Sequence, residues 1–158
     1  MRRTIVFLGI LVFLSGCSSI DCPLNNVVYT RYELRGDVTT LVDTLSVIAL
    51  RDKGGDTLLL NREIQASAFE IPMSYTQPTD NIVISLKDSN SVVRNDTVSI
   101  DKTNVPHFES VECSPAYFHK ITGVRWTRHT IDSISISKPN VNYDTKGGNL
   151  HIYFKSSY

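Results

Sequence analysis

The side chains of this 158-residue chain that could do chemistry are few: three cysteines, Cys17, Cys22 and Cys113, and four histidines, His107, His119, His129 and His151. A cysteine nucleophile needs a histidine or cationic neighbour to lower its thiol pKa, and neither Cys22 nor Cys113 sits in such a context. Zinc held on strands needs ligands at i and i+2 or across neighbouring strands, and the four histidines contain no i, i+2 pair. They are expected at the surface or packed between strands. Arg128-His129 with Asp132 is an acid-base fragment without a nucleophile and reads as a polar strand edge. Asn140, Asn142 and Asp144 alternate ahead of Gly147-Gly148 like the odd positions of a calcium loop, but the closing glutamate is missing and a polar turn is expected. Tyr117, Phe118 and Trp126 suit either a carbohydrate or peptide platform or a core. Nucleophile-elbow, zincin, Cys-x-x-Cys, phosphate-loop and dinucleotide motifs are absent, so the expectation is a non-catalytic protein without a cofactor.

One cysteine is placed by its neighbours. Arg2 and Arg3 precede an apolar run from Ile5 to Leu14, followed by Ser15, Gly16 and Cys17, the charged, apolar and small-residue order of a secretory signal. As a helix the run rises about 15 Å, roughly half a bilayer's hydrocarbon core, too little for a stable span. Leu14-Ser15-Gly16-Cys17 resembles the lipobox of bacterial lipoproteins. The resemblance implies cleavage before Cys17, lipid on its sulfur and amine, and durable anchoring; ordinary secretion of a soluble protein is the alternative. Cleavage removes 16 of 158 residues and leaves 142, the size of one domain. Residues 1–16 are read as signal peptide, 17–26 as lipidated tether and 27–158 as the domain. Loss of Arg2 and Arg3 leaves 14 basic against 16 acidic residues, no surplus for nucleic acid. The expected partners are the membrane, through the lipid, and an envelope protein. Ser18 is not the aspartate that resembles an inner-membrane retention signal, and Ser18-Ser19-Ile20-Asp21 has a single acid where surface export in Bacteroidota resembles a rule requiring several. The periplasmic face of the outer membrane is expected.

With Cys17 assigned to lipid, Cys22 and Cys113 remain in a compartment where disulfides persist, and a bridge between them is expected; free thiols or an intermolecular pair are the alternative.

The elements that must position these groups are strands. Ile82, Ile84 and Leu86 alternate on one side of residues 81–87, and Leu150, Ile152 and Phe154 do the same in 149–155. Similar segments are read at 27–34, 45–51, 57–61, 68–71, 97–101, 108–112, 122–127 and 131–137, with hairpin punctuation at Asp52-Lys53-Gly54-Gly55 and Lys146-Gly147-Gly148. The best helix candidate is a single turn at 115–120, with Ser114 as cap and Pro115 first inside. Many short strands in one domain predict an all-β fold, a single antiparallel β-sandwich, immunoglobulin-like. A lipocalin-like barrel is the alternative, since Gly123-Val124-Arg125-Trp126 resembles the Gly-x-Trp signature, although that motif lies near the start of lipocalins.

Six of eleven aspartates are followed by Ser or Thr, against about two expected from composition. Four of these have an apolar residue next: Asp43-Thr44-Leu45, Asp56-Thr57-Leu58, Asp96-Thr97-Val98 and Asp132-Ser133-Ile134. They resemble the O-glycosylation acceptor of exported Bacteroidota proteins, which implies Thr44, Thr57, Thr97 and Ser133 as candidate sites. The alternative is strand-onset grammar, an aspartate ending a turn before a β-branched or hydroxyl residue. More widely, Asp21-Cys22-Pro23-Leu24-Asn25-Asn26, Ile71-Pro72-Met73-Ser74-Tyr75, Pro106 to Val111, Ile121-Thr122-Gly123-Val124 and His151 to Lys155 resemble a Bacteroidota lipoprotein family of unknown function. That resemblance implies a small mature domain with paired cysteines and assigns no activity.

Overall fold

The computed structural model describes Cys22 and residues 27–157; Cys17 and the signal segment lie outside the described residues. Among the described residues ten strands follow one another: β1 (Tyr29–Arg35), β2 (Thr44–Leu50), β3 (Thr57–Glu63), β4 (Ala68–Pro72), β5 (Thr79–Lys87), β6 (Val93–His107), β7 (Ala116–Trp126), β8 (Ile131–Ile136), β9 (Asn140–Val141) and β10 (Leu150–Phe154). Alternation decides which side each buries. Thr30, Tyr32 and Leu34 of β1, Leu45 and Val47 of β2, the Ile82, Ile84 and Leu86 series of β5 and the Leu150, Ile152 and Phe154 series of β10 all point inward.

Two packed sheets result, a four-stranded one in the order β4-β1-β10-β8 and a six-stranded one in the order β3-β2-β5-β6-β7-β9. The core lies between them, with Tyr32 stacked on Phe69 at 4.7 Å. This is the expected all-β sandwich, with one departure from a purely antiparallel plan: β1 and β10 run parallel, from Tyr32 opposite Leu150 to Arg35 opposite Tyr153. The link between two parallel neighbours must cross over, and here it comprises β2 to β9, so the first and last strands meet at the centre of the smaller sheet.

Three local expectations are corrected. The turn of helix at 115–120 is instead the start of β7, where pairing with β6, from His107 opposite Ala116 to Lys102 opposite Ile121, overrides a local cap signal. The strand expected at 108–112 is a turn, closed by the Cys113 amide donating to Ser110 O at 3.2 Å. The strand expected at 97–101 runs over 93–107, because its inward row is Asp96, Val98, Ile100, Lys102: two buried charges continue a pattern that apolar periodicity alone breaks off. The hairpin at Asp52-Lys53-Gly54-Gly55 forms as expected, joining β2 to β3. Lys146-Gly147-Gly148 instead carries the chain from β9 in the larger sheet to β10 in the smaller one and is not a hairpin, because the two strands pair with β7 and with β1 and β8 instead of with each other. Gly148, at φ 65°, is the most constrained, since a Cβ there would lie 2.9 Å from Glu33 Cγ.

Candidate functional site

The two sheets part beside the β2–β3 hairpin. Where β2 ends, before the hairpin at residues 51–56, and where β4 runs into the loop at 73–78, a cleft of about 590 Å³ opens between them. Ile71, Ile82 and Ile100 come from both sheets to line it together with the buried Met73, and Leu50 and Tyr75 are exposed apolar residues of its lining. Arg51, Asp52 and Lys53 stand at the rim. Tyr32 also lines the cleft, and its hydroxyl is buried with no hydrogen-bond partner. A buried hydroxyl left unpaired costs on the order of 1–3 kcal/mol, so this position gains when an acceptor is brought to it. Burial, with the nearby Asp80 carboxylate adding to it, raises the Tyr32 pKa and keeps the phenol a donor.

Beside the cleft a buried polar string ties the 73–78 loop to β6 and β7. Lys102 Nζ lies 2.9 Å from Asp80 Oδ1 and donates to Gln77 O at 2.8 Å, while the Ser74 amide donates to Asp80 Oδ2 at 3.2 Å. Burial pushes the Asp80 carboxyl pKa up, against the pull of Lys102. Asn104 Nδ2 donates to Tyr75 O at 2.9 Å and Gln77 O at 3.2 Å, which turns its Oδ1 toward His119 Nδ1, 2.8 Å away. An oxygen there requires the proton on Nδ1. His119 is buried, and that burial, with Lys102 nearby, lowers its pKa to about 4. It is neutral at pH 7 and serves to hold the loop.

A second buried carboxylate has a different task. Asp96 accepts from Thr127 Oγ1 (2.7 Å), His129 N (2.8 Å), Thr130 N (2.7 Å), Thr130 Oγ1 (2.6 Å) and Ile131 N (3.0 Å). Despite burial, these donors lower its pKa to about 2. Asp96 thereby latches the β7–β8 connection onto β6.

The residues singled out in the sequence are dispersed. His107 stacks on Phe118 at 4.1 Å, His129 is exposed on the β7–β8 connection, and His151 lies 4.0 Å from Glu33 on the smaller sheet. Among the described residues no group of three or more His, Cys, Asp or Glu is arranged to hold a metal ion. Asn142 and Asp144 accept from the amides of Asp144 and Lys146 at 2.8 and 3.0 Å, which makes the calcium-like stretch a polar turn. The aromatic platform does not assemble: Tyr117 stacks on Tyr75, its neighbour Phe118 stacks on His107, and Trp126 donates to Asp132 O. Thr44, Thr57, Thr97 and Ser133 are all half-buried; Thr44 and Thr57 open β2 and β3, Ser133 is third in β8, and Thr97 lies inside β6, where Asp96 of its triplet is wholly enclosed. Cys22 and Cys113 are joined by a disulfide, with Cα atoms 5.5 Å apart. Tyr32, Asp80, Lys102 and Asn104 were not expected. The only local signal was Lys102 at the inward position two residues after Ile100.

No curated protein and no solved structure matches the chain. Residues 1–18 match the prokaryotic membrane lipoprotein lipid attachment site, which includes Cys17, so the protein is anchored to the cell envelope by lipid. Residues 44–154, from the start of β2 to the end of β10, match a family described as of unknown function, DUF6452, and the chain belongs to that family.

Proposed function

We propose that this lipoprotein is a non-catalytic binding module of the cell envelope, using a sandwich of immunoglobulin-like type as scaffold and the inter-sheet cleft as its site. The cleft receives an apolar side chain presented by an envelope protein, whose hydrogen-bond acceptor meets Tyr32. The observation that carries this reading is the unpartnered Tyr32 hydroxyl, enclosed at a cleft whose lining combines Ile71, Ile82 and Ile100 with polar groups such as Asp80 and Gln77. The mouth favours a protein ligand over a free one, because it is open and rimmed by Arg51, Asp52 and Lys53, side chains suited to a polar surface around a buried anchor. A carrier of a lipid or other apolar ligand is the second reading, favoured by the volume, since pockets for small molecules hold roughly 300–1,000 Å³.

The anchor belongs, on the Ser18-Ser19-Ile20-Asp21 sequence, at the periplasmic face of the outer membrane of a Bacteroidota-type envelope. Glycan is proposed at Thr44, Thr57 or Ser133 before Thr97, whose preceding aspartate is enclosed and saturated by donors. Peptide masses without glycan at all four positions would remove that proposal.

Occupancy of the cleft is tested by Leu50→Trp, which crowds the cleft, against Val42→Trp on an exposed loop. The intact lipoprotein, captured from detergent-solubilised envelopes, should bring down a protein partner at least tenfold less well with Leu50→Trp and equally well with Val42→Trp. Recovery of one lipid per chain and no protein would replace the binding module with the carrier.

A further inference from the structure

The turn between β6 and β7 has no role in the cleft, yet it carries the most exposed apolar residues near the anchor. Phe108 is 64 % exposed and Val111 fully so. Val111 stands at the apex, because the Cys113 amide donates to Ser110 O at 3.2 Å and the Glu112 amide to Ser110 Oγ at 3.3 Å. Two residues beyond the apex, Cys113 is bonded to Cys22. From Cys22 the chain has five residues to Cys17 within the lipid attachment site, and five residues span at most about 18 Å. By comparison β6, with 15 residues, runs about 45 Å from Val93 to this turn. Residues 42–44 lie toward the far end, since Thr44 pairs with Lys87 and Lys87 with Val93. The disulfide therefore holds the Phe108–Val111 turn within reach of the lipid anchor and keeps the opposite end away.

We propose that this turn docks on the lipid bilayer, with Phe108 and Val111 entering the interface beside the acyl anchor. Aromatic and aliphatic side chains gain by entering the boundary between headgroups and acyl chains, and a second weak contact orients a protein already held by lipid. Glu109, which His107 Nε2 approaches at 3.0 Å, and the exposed Glu112 flank the apex. Their charges keep the insertion shallow and match a zwitterionic surface better than an anionic one. This inference is independent of what the cleft binds.

The test places single tryptophans in the intact lipoprotein, in a Trp126→Phe background, reconstituted into phosphatidylcholine vesicles with brominated acyl chains. Phe108→Trp and Val111→Trp should each be quenched at least twofold more than Val42→Trp. Val111→Asp should reduce quenching of the Phe108→Trp probe at least twofold while circular dichroism stays unchanged. If Trp126→Phe does not fold, the same comparison is made after subtracting the signal of Trp126 in the parent protein. Equal quenching at all three positions, or crosslinking of the turn to a second copy with no quenching, would overturn the proposal.

Discussion

Lys102 Nζ lies 2.9 Å from Asp80 Oδ1, with the lysine side chain wholly removed from solvent and held between the larger sheet and the loop that forms one wall of the cleft. A buried ion pair repays its desolvation only when both partners are present, and removing one leaves a charge without a counterpart. Lys102→Met alone should therefore destabilise the domain by about 3–5 kcal/mol. Lys102→Met with Asp80→Leu should cost less than the sum of the two single changes. Urea unfolding of the four proteins measures this, and simple additivity would mean that the pair is not coupled.

Acid should weaken the fold in two stages. His119 titrates at about 4 in the folded protein against 6.5 unfolded, so its contribution is complete above pH 6.5 and declines as pH falls toward 4. Asp96, at about 2 folded against 3.8 unfolded, contributes fully above pH 3.8 and loses that contribution as pH falls toward 2. His119→Gln should flatten the urea midpoint between pH 6.5 and 4 and leave the lower stage in place. An unchanged slope there would exclude His119 as the group responsible.

The Cys22–Cys113 bridge spans a sequence separation of 91 residues. Replacing both cysteines with serine should cost about 2–5 kcal/mol, by releasing a long loop in the unfolded chain. Peptide masses without reductant should show the two cysteines linked. Two alkylatable thiols would refute the bridge.

Cys17→Ala should move the protein from the membrane fraction to the soluble fraction, because it removes the cysteine of the lipid attachment site. The Phe108–Val111 contact is too small to retain it alone. Retention at wild-type level would contradict the anchor assignment.

The sequence revealed most strands because their inward rows are apolar, as Ile82, Ile84 and Leu86 illustrate. It hid the ends of β6, where Asp96 and Lys102 take inward positions made tolerable by partners on the β7–β8 connection, by Asp80 of β5 and by the 73–78 loop. Asp96 shows how one residue can satisfy two readings: its Asp-Thr-apolar pattern resembles a modification signal, while its carboxylate latches groups 31 to 35 residues away. The cleft was not legible at all. Tyr32, Leu50, Met73 and Ile100 meet only through pairing in both sheets, and an unpartnered hydroxyl has no sequence signature.

The central claim is that the cleft beside Tyr32 holds part of an envelope protein. Its most direct test is a photoreactive benzoylphenylalanine in place of Tyr75, which lines the cleft and is exposed, irradiated in intact cells with Val42 as the control position. A discrete protein adduct formed from position 75, lost with Leu50→Trp and absent from position 42, is the predicted result. A lipid adduct at 75, or no adduct there in cells that hold the folded, anchored protein, would contradict it.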